Sequence, residues 1–133
     1  MRTLTLRAHG SAPATLAWER YADPGLWSQW SPQIQRVETT MARLESGGTG
    51  TVRAGLLAHP TLPVPFRVLE VDERARRWTW EARIGPVVLH LEHGVEARGS
   101  GSRTWLTVRG PWPVLIAYAP LARLALHRLV RVS

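Results

Sequence analysis

The feature that most constrains this chain is a change of hydrophobic period. From Pro32 to Gly110 apolar and polar residues alternate in runs broken by turn residues, whereas the segments on either side are spaced as helices. Period two sends successive side chains to opposite faces of a strand. It predicts strands at Gln33–Thr40, Thr49–Ala58, Val64–Asp72, Arg77–Arg83, Val87–Arg98 and Thr104–Gly110, preceded by one at Thr3–Ala8. The breaks are Glu45-Ser-Gly-Gly, His59-Pro-Thr-Leu-Pro, Asp72-Glu-Arg-Ala, Gly85-Pro86 and Gly99-Ser-Gly-Ser. Links this short favour antiparallel neighbours.

Between the first strand and Pro32 the spacing predicts two short helices. Ser11 is placed to cap the first, with Pro13 in its opening turn, and Ala14–Tyr21 sets Leu16, Ala17 and Arg20 or Tyr21 at helical spacing. Asp23-Pro24 stops that helix and opens the second, with Asp23 as cap. The final segment, Pro111 to Val132, is apolar on most sides as far as Ala122; beyond it Arg123, His127 and Arg131 form one polar stripe. This predicts a long helix buried over most of its first half and kinked near Pro120.

These elements define an α+β fold in one domain, residues 1–133. An antiparallel sheet of about seven strands must bury one face, and the C-terminal helix is the large apolar partner available. The sheet is expected to curve around that helix, leaving a space between them where a ligand would sit.

Composition narrows the chemistry. The 133 residues contain no cysteine, which excludes a disulfide framework, a thiolate zinc site and a cysteine nucleophile. Seven tryptophans and 44% hydrophobic residues argue against disorder. The opening MRTLTLRAHG is too polar for a secretory signal, and the run Gly110 to Ala122 is too short and proline-broken to span a bilayer, so a cytoplasmic protein is expected. The net charge of +7 comes entirely from arginines on the basic side, and they are spread along the chain. That spread favours a solvated basic surface over a nucleic-acid partner.

The stretch Tyr21-Ala-Asp-Pro-Gly-Leu-Trp-Ser-Gln-Trp-Ser-Pro32 resembles the helix-turn signature of the polyketide cyclase/dehydrase and lipid-transport family. That family lies in the START-like (SRPBCC, Bet v 1-like) superfamily. Further resemblances are Gly50 after a Gly-rich turn, Val68-Leu-Glu-Val-Asp-Glu-Arg-Ala-Arg-Arg-Trp78, His90-Leu-Glu-His93 before a glycine, and Thr104-Trp-Leu-Thr107. The resemblance covers nearly the whole chain and implies a helix-grip fold. Its members bind lipids, sterols, quinones or polyketides and only some are enzymes, so it leaves the activity open.

Strand parity nominates the interior. Val52, Ala54 and Leu56 share one face of the third strand, and Phe66 and Val68 one face of the fourth. Trp78, Trp80 and Ala82 oppose the charged face of Arg77, Glu81 and Arg83. Leu89, Leu91, His93, Val95 and Ala97 oppose His90, Glu92, Glu96 and Arg98; Leu106 and Val108 supply the last strand. Leu115, Tyr118 and Ala122 are the helix's contribution. Small Ala54 and Ala82 beside two indoles either leave room for a ligand or interlock. Trp27 and Trp30 share a face, as a wall at a cavity mouth or as a plug between helices and sheet. Glu70 has the parity of Phe66 and Val68, so it either points inward near the strand's end or stands where the sheet already reaches solvent, and Trp105 faces outward among arginines.

His93 is the titratable group set on the apolar face. It serves either as a hydrogen-bond partner or acid/base for a ligand, or as a structural histidine bonded to backbone or Tyr118. His93 and Tyr118 are the catalytic candidates. No cofactor and no metal are expected, because His90 and His93 point to opposite faces. The Gly47–Gly50 turn lacks a phosphate loop's lysine, and no helix follows Gly99–Ser102 as a nucleophile elbow requires. The leading expectation is therefore a carrier or sensor for a hydrophobic small molecule, acting as a monomer or weak homodimer. A cyclase/dehydrase is the enzymatic alternative; a third is a module contacting a membrane surface or protein through Arg123, His127, Arg128 and Arg131.

Overall fold

The computed structural model describes residues 2–55 and 62–132. Seven strands form one antiparallel sheet: β1 (Arg2–Gly10), β2 (Ile34–Thr39), β3 (Thr49–Ala54), β4 (Leu62–Asp72), β5 (Arg77–Ile84), β6 (Val87–Arg98) and β7 (Gly101–Gly110). The spatial order is β1-β7-β6-β5-β4-β3-β2. Strands β2 to β7 are thus a continuous meander, and β1 closes the far edge against β7, with Leu6 opposite Leu106. Helix α1 (Ala14–Ala22), a 3-10 turn (Pro24–Leu26) and α2 (Trp27–Trp30) follow β1, and α3 (Trp112–Leu129) ends the chain. The end of the third predicted strand, including Leu56, lies outside the described residues.

Local chemistry explains most boundaries. Asp23 accepts the Gly25 N–H at 2.9 Å, with Pro24 leading the 3-10 turn. Ser11 does not cap α1; Pro13 stands at that position without a side-chain bond, and the Ser11 hydroxyl instead accepts from Val132 N–H. Pro63 and Pro65 fall where β4 pairs with β3 before its pairing with β5 begins at Phe66, so their missing N–H groups break no bond to β5. A bulge between Val68 and Glu70 then resets parity: Val71, not Glu70, stands opposite Trp78 and packs on the core, and Glu70 is exposed.

Helix α3 lies across the sheet and packs most closely on β1 and β7. The expectation of a first half buried on most sides is not met, although Leu115 there is fully buried. Ala122, Ala125, Leu126 and Leu129 in the second half are buried, whereas Trp112, Ile116 and Ala117 in the first half are exposed. In the first half Leu115 meets the sheet beside Leu89 and Gly110, while Val114 and Tyr118 overhang a space. Arg20 fixes the other end, donating to the carbonyls of Leu129 (2.6 Å), Arg131 (2.7 Å) and Arg128 (3.2 Å). Such bonds satisfy carbonyls that a helix C-terminus leaves free, and they lock α1 to α3. On its other side α1 is held by Arg43, which bonds both Glu19 and Glu73, while Trp18 Nε1 donates to Glu73 at 2.7 Å.

On the outer face the Trp105 ring lies over Gly94, with the Arg77 guanidinium 5.9 Å from its centroid. A β-carbon at position 94 would overlap that ring. Gly94→Ala should therefore destabilise by about 1–3 kcal/mol in urea unfolding. An unchanged midpoint would mean that Trp105 moves aside freely.

Candidate functional site: a cavity between sheet and helix

The space under α3 is a cavity of about 640 Å³. Its floor is the inner face of β3, β5, β6 and β7, including Val52, Ala82, Leu91 and Leu106; its roof is α3, through Val114, Tyr118 and Ala122. Ala117 of α3 and Leu62 of β4 line it while also being exposed.

Of the residues nominated by parity, Val52, Ala54, Trp78, Trp80, Leu89, Leu91, His93, Leu106, Tyr118 and Ala122 lie on the cavity wall. Phe66, Val68 and Leu115 do not. Phe66 packs behind Trp27 and Trp80, with centroids 5.4 and 5.7 Å away. Val68 is fully buried, and Leu115 turns toward Leu89 and Gly110. Ala97, at the end of β6, is exposed.

The aromatic wall forms because α2 drops Trp27 onto the β5 indoles. Trp27 sits 5.5 Å from both Trp78 and Trp80, which stack on each other at 5.3 Å. Its Nε1 donates to Tyr21 O at 2.8 Å, and Trp30 Nε1 donates to Arg20 O at 2.8 Å. Both tryptophans also line the cavity, so wall and plug are the same pair.

The polar exception is centred on Tyr21, which the sequence marked by helical spacing and as the start of the family-like stretch but not as a site residue. Tyr21 is fully buried, its hydroxyl 2.6 Å from Thr104 Oγ1 and 3.2 Å from His93 Nδ1; Thr104 Oγ1 donates to Gly94 O at 2.8 Å. His93 therefore bonds Tyr21 and not Tyr118. The available signals were the place of Tyr21 on the apolar face of α1 and the inward parity of Thr104 with Leu106.

Burial sets the protonation states. Desolvation pulls the His93 pKa down to about 3 and pushes the Tyr118 phenol up to about 12. Tyr21 is raised as well, mainly by burial. At neutral pH His93 is an uncharged imidazole and both phenols keep their protons. A proton carrier works best with a pKa near the working pH, and neither His93 nor Tyr118 has one.

The His93 shift predicts a pH dependence. Its folded pKa lies below the unfolded value of about 6.5, so the unfolded chain binds the extra proton first. Its stabilising contribution is complete above about pH 6.5 and is lost at about 1.4 kcal/mol per pH unit as the pH falls toward 3. Between pH 6.5 and 5 the unfolding free energy should fall with this slope, and His93→Gln should flatten it. Equal slopes in the two proteins would contradict a buried neutral His93.

Among the described residues no three metal-ligating side chains gather, and no helix is long and apolar enough to cross a membrane. Curved antiparallel sheet, gripped helix and apolar cavity together define a helix-grip fold. Residues 1–132 match the family described as polyketide cyclase / dehydrase and lipid transport, and the chain belongs to that family.

Three solved structures illustrate the likeness. Ara h 8.0201 superposes with a TM-score of 0.78 at 15% identity, covering 96% of this chain and 94% of that one. The hypothetical protein jhp0584 from Helicobacter pylori gives 0.79 at 11%, covering 97% and 86%. The di-domain ARO/CYC BexL from the BE-7585A biosynthetic pathway gives 0.80 at 17%, covering 98% of this chain and 45% of that one. The chain thus spans less than half of BexL, and at such identities the likeness shows the fold alone. No curated protein matches the sequence significantly.

Proposed function

We propose that the protein binds an apolar small molecule in the cavity, against Val52, Ala54, Trp80, Leu91, Leu106 and Ala122. The observation that carries this reading is the cavity itself. About 640 Å³ lined almost wholly by aliphatic and aromatic side chains is room for a lipid, polyketide or aromatic compound. Protein interiors otherwise pack with few voids larger than a water molecule. For a cyclase or dehydrase the support is thinner: BexL's description as an ARO/CYC belongs to BexL, and His93 and Tyr118 are poorly tuned for proton transfer near pH 7. Carrier or sensor is the better reading.

Native mass spectrometry of protein purified gently from its own host tests it. A retained small molecule of apolar composition, released on unfolding, is the expected result. Protein that carries nothing and gains no thermal stability from any uncharged hydrophobic probe would overturn the reading.

A further inference from the structure

Three hydrogen bonds join four groups beside the cavity: Gly94 O with Thr104 Oγ1, Thr104 Oγ1 with Tyr21 Oη, and Tyr21 Oη with His93 Nδ1. Three bonds need three hydrogens. The carbonyl has none and each of the two hydroxyls has one, so the third comes from Nδ1. The direction of the chain follows: Thr104 donates to Gly94 O, Tyr21 donates to Thr104, and His93 Nδ1–H donates to Tyr21. Burial keeps the imidazole uncharged, so Nε2 holds a lone pair and no hydrogen.

That Nε2 is buried and has no partner among the described residues, and the same holds for the indole N–H groups of Trp78 and Trp80. The three rings form one stack, His93 to Trp78 at 4.9 Å and to Trp80 at 6.2 Å, and all three residues line the cavity. An apolar wall thus holds one bare acceptor and two bare donors. Buried groups of this kind are costly to leave unpaired.

We propose that the ligand bears a hydroxyl (a phenol, enol or alcohol on an otherwise apolar body) that donates to His93 Nε2 and accepts from an indole N–H of Trp78 or Trp80. A hydroxyl is the smallest group that does both. A ketone or ether only accepts and leaves Nε2 bare. A carboxylate brings an unpaired charge into an apolar site and sets its lone pairs against that of Nε2. All three atoms are closed to solvent in this structure, so the inference requires the stacked rings to turn as the ligand oxygen enters. This inference rests on the ligand-binding reading above and specifies its polar end.

The test uses three probes of one shape, 2-naphthol, 2-methoxynaphthalene and 2-naphthoate, titrated calorimetrically at pH 7. 2-Naphthol should bind about tenfold more tightly than its methyl ether, and the naphthoate more weakly than both. His93→Phe should abolish the preference, so that 2-naphthol and its ether bind that variant equally. Tyr21→Phe, which frees the imidazole to change tautomer, should reduce the preference and serves should His93→Phe fail to fold. In the parent protein, nitrogen-15 NMR should find the His93 proton on Nδ1. Equal affinity for naphthol and ether, or a proton on Nε2, overturns the inference alone. Failure of all three probes where another uncharged hydrophobic probe binds overturns this inference alone; failure of every such probe overturns the ligand-binding reading with it.

Discussion

Trp27→Ala is expected to cost about 3–5 kcal/mol in urea unfolding, the range for emptying a large aromatic from a packed core. Trp27 is 1% exposed and touches Phe66, Trp78 and Trp80 at once. Its removal separates α2 from β5, leaves Tyr21 O without its indole donor, and loosens the residue that pins His93. Against a domain stability of roughly 5–15 kcal/mol this is a large share. Trp27→Phe keeps most of the contact area and should cost less than half as much. A loss under about 1 kcal/mol for the alanine variant would show that the cavity, not a packed cluster, surrounds this indole.

The second large effect concerns ligand binding rather than folding. Ala54 and Ala82 stand on the cavity floor, where a bigger side chain extends into open space. The double variant Ala54→Leu/Ala82→Trp should lose at most about 1 kcal/mol of stability, because it fills a void and displaces no neighbours. The parent, given an uncharged probe such as N-phenyl-1-naphthylamine at a hundredfold excess over its dissociation constant, should gain about 2.7 kcal/mol. If the variant binds thirtyfold more weakly, the same probe concentration gives about 0.9 kcal/mol. A variant that unfolds, costing about 1–3 kcal/mol or more through overpacking, would mean the floor is already filled.

The meander was legible because each strand of a half-buried antiparallel sheet carries its own alternation, and turn residues mark each reversal. The two indoles of β5 and His93 of β6 were placed correctly by parity alone, and the register sets Trp78 opposite His93. Parity failed at the Val68–Glu70 bulge, since one extra residue exchanges the faces beyond it and leaves no compositional trace.

Tyr21 was passed over because its partners are 72 and 83 residues away, and only the docking of α1 on the sheet brings them together. The burial of α3 was misread for a related reason. Val114, Tyr118 and Leu121 are apolar because they roof a cavity, and a one-dimensional pattern does not distinguish that from facing a packed core. Trp112 and Ile116 are exposed on another face of the helix, away from the cavity lining.

The most direct test is to locate a bound probe. With naphthalene and methyl-labelled protein, intermolecular nuclear Overhauser effects should run from the probe to Val52, Leu91, Leu106 and Ala122, and should weaken together in Ala54→Leu/Ala82→Trp. Effects confined to Ile116 and Leu124 on the exposed face of α3, or none at saturating probe, would contradict a ligand site between sheet and helix.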